Sequence, residues 1–230
     1  MLLGGLLPLP VLAQGFTESF ETGLGTGNHA TVTPLTFTTG TWFAHNRSTP
    51  IGTTGVFANG GSFSGPTGGG ANYATMSFDN GVSGSAPNMN TLNTFLMSPV
   101  QTFNNNDTIR FQTRTATNPF FPDRLRVRLS TNGTSTNTAD FTTILLTIND
   151  GLTTAGYPDT WTEFTATVTG LSGPTAGRFA FHYDVLDTFT NGDVVGIDLV
   201  TYTPVPEPLS ILSIATVGAL GWHYRRRRPA

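Results

Sequence analysis

The stretch "RLRVRLS", Arg124–Ser130, alternates charged and apolar residues without a break. At a helical period of 3.6 residues these side chains would scatter around the whole circumference; a period of two sorts them completely. As a strand the segment sends Leu125, Val127 and Leu129 to one face and Arg124, Arg126 and Arg128 to the other. The same period recurs outward from it. "TIRFQT" (108–113) places Ile109 and Phe111 together, "FTATV" (164–168) places Phe164, Ala166 and Val168 together, and "RFAFHYDV" (178–185) aligns Phe179, Phe181 and Tyr183. Further strands are expected around Phe16–Phe20, Thr31–Thr38, Tyr73–Phe78, Phe141–Ile148 and Val194–Tyr202. No segment of the body carries a convincing amphipathic helix. About nine or ten short strands separated by Gly/Asn/Pro/Ser clusters, with no internal repeat, predict an all-β fold, a jelly-roll β-sandwich. The Gly-rich stretch 52–70 reads as a long surface loop that Val56, Phe57 and Phe63 can pin to the body.

Composition agrees with that reading. Among 230 residues there are 41 Thr, 27 Gly and 15 Pro, no lysine and no cysteine. Thr is β-branched and stiff, while Gly and Pro interrupt helices. The absence of cysteine excludes disulfides, thiolate metal sites and a cysteine nucleophile. The net charge of -3 conceals a segregation, because four of the 11 basic residues are Arg225, Arg226, Arg227 and Arg228. Seven arginines then face 14 acidic residues, so the rest of the chain stands at about -7. A body of that sign, without a cluster of Lys and Arg to displace counterions, argues against a nucleic-acid partner.

Both ends differ from the body. Residues 1–13, "MLLGGLLPLPVLA", form an apolar run ending in Val-Leu-Ala, the pattern of a cleavable signal segment with Gln14 as the mature start. Its basic leading region is missing, and the true start is expected upstream. Residues 204–230, "PVPEPLSILSIATVGALGWHYRRRRPA", combine Pro206-Glu207-Pro208, an uncharged run at 209–224 and the terminal arginines. Sixteen helical residues span about 24 Å, short of the roughly 30 Å of a bilayer core. Arginines that resist translocation would hold the distal end on the cytoplasmic side.

This ending resembles the PEP-CTERM sorting signal of Gram-negative bacteria. The resemblance implies export, transient retention in the inner membrane by the hydrophobic helix, cleavage by an exosortase near Pro206-Glu207-Pro208, and delivery to the cell surface or extracellular matrix. The body, residues 14–203, carries "FTESFET", "GTWFAHN", "NTFLMSPVQTF", "DRLRVRLSTNG", "DTWTEFTATVTGLSG", "GRFAFHYDV" and "GDVVGIDLVTYT" in this order. It resembles the choice-of-anchor J and cleaved-adhesin domains. That resemblance implies a jelly-roll sandwich with binding or adhesive rather than catalytic work, and a structural calcium between the first and last strands. Its ligands would come from Glu18, Glu21, Asp193 and Asp198, although Leu199 stands where a second Asp is common. The same four carboxylates also read as ordinary solvated loop and edge charges.

Three further groups are candidates. Arg124, Arg126 and Arg128 can clamp a uronate or sulfate of an acidic polysaccharide, or can simply pair with acids of neighbouring strands. Trp42 and Trp161, with Tyr157, lie near Gly/Pro-rich loops and can serve as stacking platforms, although at least one of the tryptophans is expected in the core. Catalysis finds little support: no His-Glu-x-x-His pattern occurs, and "GSFSG" (61–65) has Phe63 where a nucleophile would stand. The leading expectation is an exported, non-catalytic adhesion or binding module. The alternative is an exopolysaccharide-binding module, and the third reading is a glycan-active hydrolase using Asp184 and Asp187.

Overall fold

The computed structural model describes residues 14–23, 25–58, 62–82 and 90–206. The expected signal segment, Glu207, Pro208, the hydrophobic run and the terminal arginines lie outside these residues, as does Leu24. Among the described residues no helix is long and apolar enough to cross a membrane.

Among the described residues thirteen strands follow one another: β1 (Phe16–Glu18), β2 (Thr33–Phe37), β3 (Gly40–Asn46), β4 (Phe57–Ala58), β5 (Ala74–Ser77), β6 (Thr91–Met97), β7 (Gln101–Phe103), β8 (Thr108–Thr115), β9 (Leu125–Ser130), β10 (Thr143–Ile148), β11 (Thr162–Thr167), β12 (Thr175–Leu186) and β13 (Val194–Thr203). Two single-turn 3-10 segments, Phe78–Asn80 and Thr138–Asp140, are the only helical elements among the described residues. Six strands form one sheet in the order β11-β8-β13-β5-β4, with β1 also on β13. Seven form the other in the order β10-β9-β12-β6-β3-β2, with β7 also on β12. Every pairing is antiparallel, so the chain is the all-β sandwich that the two-residue period predicts.

Alternation explains how the layers close. In β9, Leu125, Val127 and Leu129 are buried while Arg126 and Arg128 are half-buried on the opposite side. The inward residues of β8, β9, β12 and β13, among them Ile109, Phe111, Phe179, Phe181, Ile197 and Val200, meet in one core between the sheets. At one end this core becomes aromatic: Trp42 makes edge contacts with Phe16, Phe20, Phe37 and Phe179 at centroid distances of 5.4 to 6.2 Å. The expected long loop 52–70 is interrupted by β4, which adds a two-residue edge strand to β5.

Position β13 matters most for the rest. It pairs with β8 along one edge; along the other it pairs first with β5, at Val194–Ile197, and then with β1, at Val200–Tyr202. Between the two the register slips from Asp198 to Thr201, and Leu199 takes a positive φ of 48°. A bulge of this kind turns side chains away from regular alternation.

Candidate functional site

The outer face of the seven-stranded sheet carries a polar grid that the strand register builds row by row. One row runs Arg126, His182, Phe95 and His45 across β9, β12, β6 and β3. The next row brings Arg124 beside Asp184 and Asn93, and the Arg47 amide donates to the Asn93 carbonyl at 2.7 Å. Phe141 folds back from the Thr138–Asp140 turn over Phe95, with ring centroids 6.0 Å apart, closing a small apolar cluster with Met97 and Ala180.

The three arginines of β9 fare differently. Arg124 and Arg126 both pair with Asp184 and Asp150. Arg128 has no carboxylate within ion-pair distance among the described residues. Its Nε donates to His182 Nδ1 at 2.9 Å and its Nη1 to the Phe141 carbonyl at 3.1 Å. Because guanidinium only donates, Nδ1 of His182 must be the acceptor, and the imidazole proton sits on Nε2, 2.9 Å from Asn93 Oδ1. Burial holds the His182 pKa well below the ordinary histidine value, reinforced by Arg128, Arg126 and Arg124. The ring is therefore neutral and stacks on Phe95 at 4.0 Å. Beside this network opens a recess of about 370 Å³, lined by Arg47, Asn93, Phe95, Arg128, Thr138, Thr142 and His182 among others.

A second feature lies on the other sheet, where Asp198, at the start of the β13 bulge, lies against Gly69 of the glycine loop. Asp198 is fully buried; its Oδ1 accepts from the Leu199 amide at 2.6 Å, and its Oδ2 has no hydrogen-bond partner. Burial pushes its pKa up to about 8, with further upward contributions from Glu21 and Glu18. Glu18 is itself buried, accepting from the Phe20 amide and the Thr39 hydroxyl, while Glu21 accepts from the amides of Ala71 and Asn72. The glycine loop presses on both acids. A Cβ at Gly69 would lie 2.3 Å from Asp198 Oδ2, and one at Gly70 2.3 Å from the Glu21 carboxyl carbon. Three of the four expected calcium ligands thus share one electrostatic niche. Asp193 does not join them: it precedes β13, and its amide donates to Asp123 Oδ1 at 2.8 Å. Among the described residues no group of three or more His, Cys, Asp or Glu side chains is placed to hold a metal. A cation at Asp198 would need backbone oxygens as well, which hard cations accept.

The aromatic candidates divide. Trp42 is fully buried and donates to Thr39, so its indole offers no face to a ligand. Tyr157 is buried with its hydroxyl 2.6 Å from that of Thr113. Half-buried Trp161 latches the glycine loop: its Nε1 donates to the Ser64 carbonyl at 2.7 Å and its ring packs edge-on against Phe63 and Tyr73. Asp184 and Asp187 work in different places. The first neutralises arginines, and the second caps the turn at Phe189 and Thr190. Sequence reasoning missed Arg47, Asn93, Phe95 and His182; the outward parity of β6 and β12 was readable, but the register that aligns them was not.

No protein-family model matches the chain, and no curated protein matches it. Solved structures do. The K3 cleaved adhesin domain of Lys-gingipain from Porphyromonas gingivalis W83 superposes with a TM-score of 0.50 at 16% identity, covering 85% of this chain and 99% of that one. The K1 domain of the same protein gives 0.48 at 18% identity, covering 84% and 99%. A family 11 carbohydrate-binding module from Clostridium thermocellum gives 0.42 at 11%, covering 86% and 99%. Likeness to the K3 domain establishes the sandwich architecture shared with an adhesin domain.

Proposed function

We propose that this chain is an exported, non-catalytic binding module of the bacterial surface or extracellular matrix, and that it engages an extracellular polysaccharide with the outer face of its seven-stranded sheet. One observation carries this reading: the Arg128, His182 and Asn93 side chains are locked to one another beside an open recess of about 370 Å³. Preorganised donors on a rigid sheet lower the ordering cost of binding. The same locking speaks for binding over turnover, because both nitrogens of His182 are engaged and neither faces a Ser or Thr hydroxyl as a nucleophile's base would. Residues 1–13 are a signal segment and 204–230 a sorting signal processed by an exosortase at Pro206-Glu207-Pro208, with Arg225, Arg226, Arg227 and Arg228 holding the helix in the inner membrane until cleavage. A structural calcium would sit at Asp198 Oδ2, which lacks a hydrogen-bond partner, with backbone oxygens completing its shell, while Glu18 and Glu21, whose oxygens already accept hydrogen bonds, contribute nearby negative charge.

The test is a panel of soluble bacterial and plant polysaccharides run in affinity gels against the full chain in detergent. Retention by at least one polymer, without release of reducing ends, is the expected result. Retention by none, or release of reducing ends, would overturn the reading.

A further inference from the structure

The body is acidic, yet its positive charge is concentrated on one side. Seven arginines precede the terminal cluster. Arg126 and Arg128 on β9, and Arg124 just before it, gather on the outer face of the seven-stranded sheet. Arg47 lines the recess on that face, and Arg178 lies over the Phe43 ring at 4.8 Å on the same sheet. Against these five guanidinium groups the face sets Asp184 and Asp150, both spent on Arg124 and Arg126. Asp140, on the turn beside the recess, accepts from Asn132 and Ser135. His182 is neutral and contributes no charge. Arg178 donates to the Thr134 and Ser98 carbonyls and does not line the recess. The recess is therefore lined by two guanidinium groups, Arg47 and Arg128, that no carboxylate of the described residues neutralises. Arg47 is exposed and makes no side-chain hydrogen bond or ion pair with the described residues.

From this geometry we infer that the recess binds an anionic sugar unit, its carboxylate or sulfate held between Arg47 and Arg128, which deepens and rests on the polysaccharide reading above. Guanidinium forks match the planar oxygen pair of a carboxylate and the tetrahedral oxygens of a sulfate. Arg128 is presented in a fixed pose by His182 and the Phe141 carbonyl, so it binds without a large ordering cost. Around the two arginines, Asn93, Thr138 and Thr142 line the recess with groups that can donate to and accept from sugar hydroxyls, and Phe95 and Phe141 add apolar lining. An acidic peptide fits less well. The recess sits over interior strands whose backbone groups are already paired in the ladders, leaving no sheet edge to extend.

The experiment is titration calorimetry of the full chain in detergent at low and moderate salt, with polygalacturonate, a sulfated glucan, the unsulfated glucan and polyglutamate as probes. Polygalacturonate or the sulfated glucan should bind at least tenfold more tightly than the unsulfated glucan, with affinity falling as salt rises, and the comparison of the two assigns the anion. Arg128→Gln together with Arg47→Gln should reduce that binding at least tenfold. Arg47→Gln alone, at an exposed position, should reduce it severalfold with an unchanged melting curve, which keeps the test decisive if Arg128→Gln disturbs folding. Binding of the unsulfated glucan as tight as that of both polygalacturonate and the sulfated glucan, or anionic binding indifferent to Arg47→Gln, overturns the inference and leaves the polysaccharide reading standing. Polyglutamate binding as tightly with the same arginine dependence overturns the sugar assignment. Binding of no glycan overturns both.

Discussion

Asp123 is fully buried just before β9, yet it is not starved of partners: the Thr115 and Tyr183 hydroxyls and the Asp193 amide all donate to it. Burial nevertheless wins, lifting its pKa from 3.8 to about 6. A raised carboxyl favours the fold fully below its unfolded pKa and ceases to do so as pH rises through the folded one. From well below pH 3.8 to well above pH 6 the shift amounts to roughly 3 kcal/mol of lost stability at 1.36 kcal/mol per unit, of which roughly 2 kcal/mol falls between pH 4 and 7. Asp123→Asn should remove that part of the slope, measured as the difference in urea unfolding free energy between pH 4 and pH 7 for the two proteins. An identical slope would show that the site stays accessible to water. Trp42 and Trp161 look alike in the sequence, each beside a loop, but one closes the aromatic end of the core and the other latches a surface loop.

Among the elements, the β13 bulge couples three segments distant in the chain. It turns Asp198 toward Glu18 on β1 and Glu21 just beyond it, under the Gly69–Gly70 loop that Trp161 fastens. If calcium binds there it ties β1, β13 and this loop together, and it binds only the folded chain. Added calcium at about a hundredfold over its Kd should then stabilise by about 2.7 kcal/mol, seen as a Tm several degrees above that in chelator. Asp198→Asn should cancel the difference. A proton competes for the same oxygen, so the calcium effect should grow from pH 6 to pH 8 and level off above. In chelator, Asp198 favours the fold most below 3.8 and least above about 8, the opposite direction. Strands such as β8, β9 and β12 were legible because two-residue alternation is set by local geometry. Strands β4 and β7, of two and three residues, are too short to show a period. The niche and the Arg47–Arg128 recess depend on which strands lie side by side, and that is decided by long-range packing that no local stretch records.

For the molecule as a whole, the sandwich is tied down almost to the expected cleavage site. Tyr202 and the Val205 amide both donate to buried Asp107, so the chain is anchored one residue before Pro206. If Pro206-Glu207-Pro208 is the exosortase site, Glu207→Ala should hold the protein in the inner-membrane fraction, whereas the unaltered protein appears at the surface or in the medium, as read by fractionation and immunoblotting. Equal release of both would remove the basis for that assignment. The position of β13 bears on timing as well. The last strand among the described residues stands at the centre of its sheet, flanked by β8, β5 and β1, and supplies Ile197 and Val200 to the core. A polypeptide that crosses a membrane from its N-terminal side therefore cannot close this sheet until the final strand has emerged. If the chain is exported as proposed, the earlier strands lack their central partner until then, which would keep the body unfolded and threadable for as long as translocation lasts.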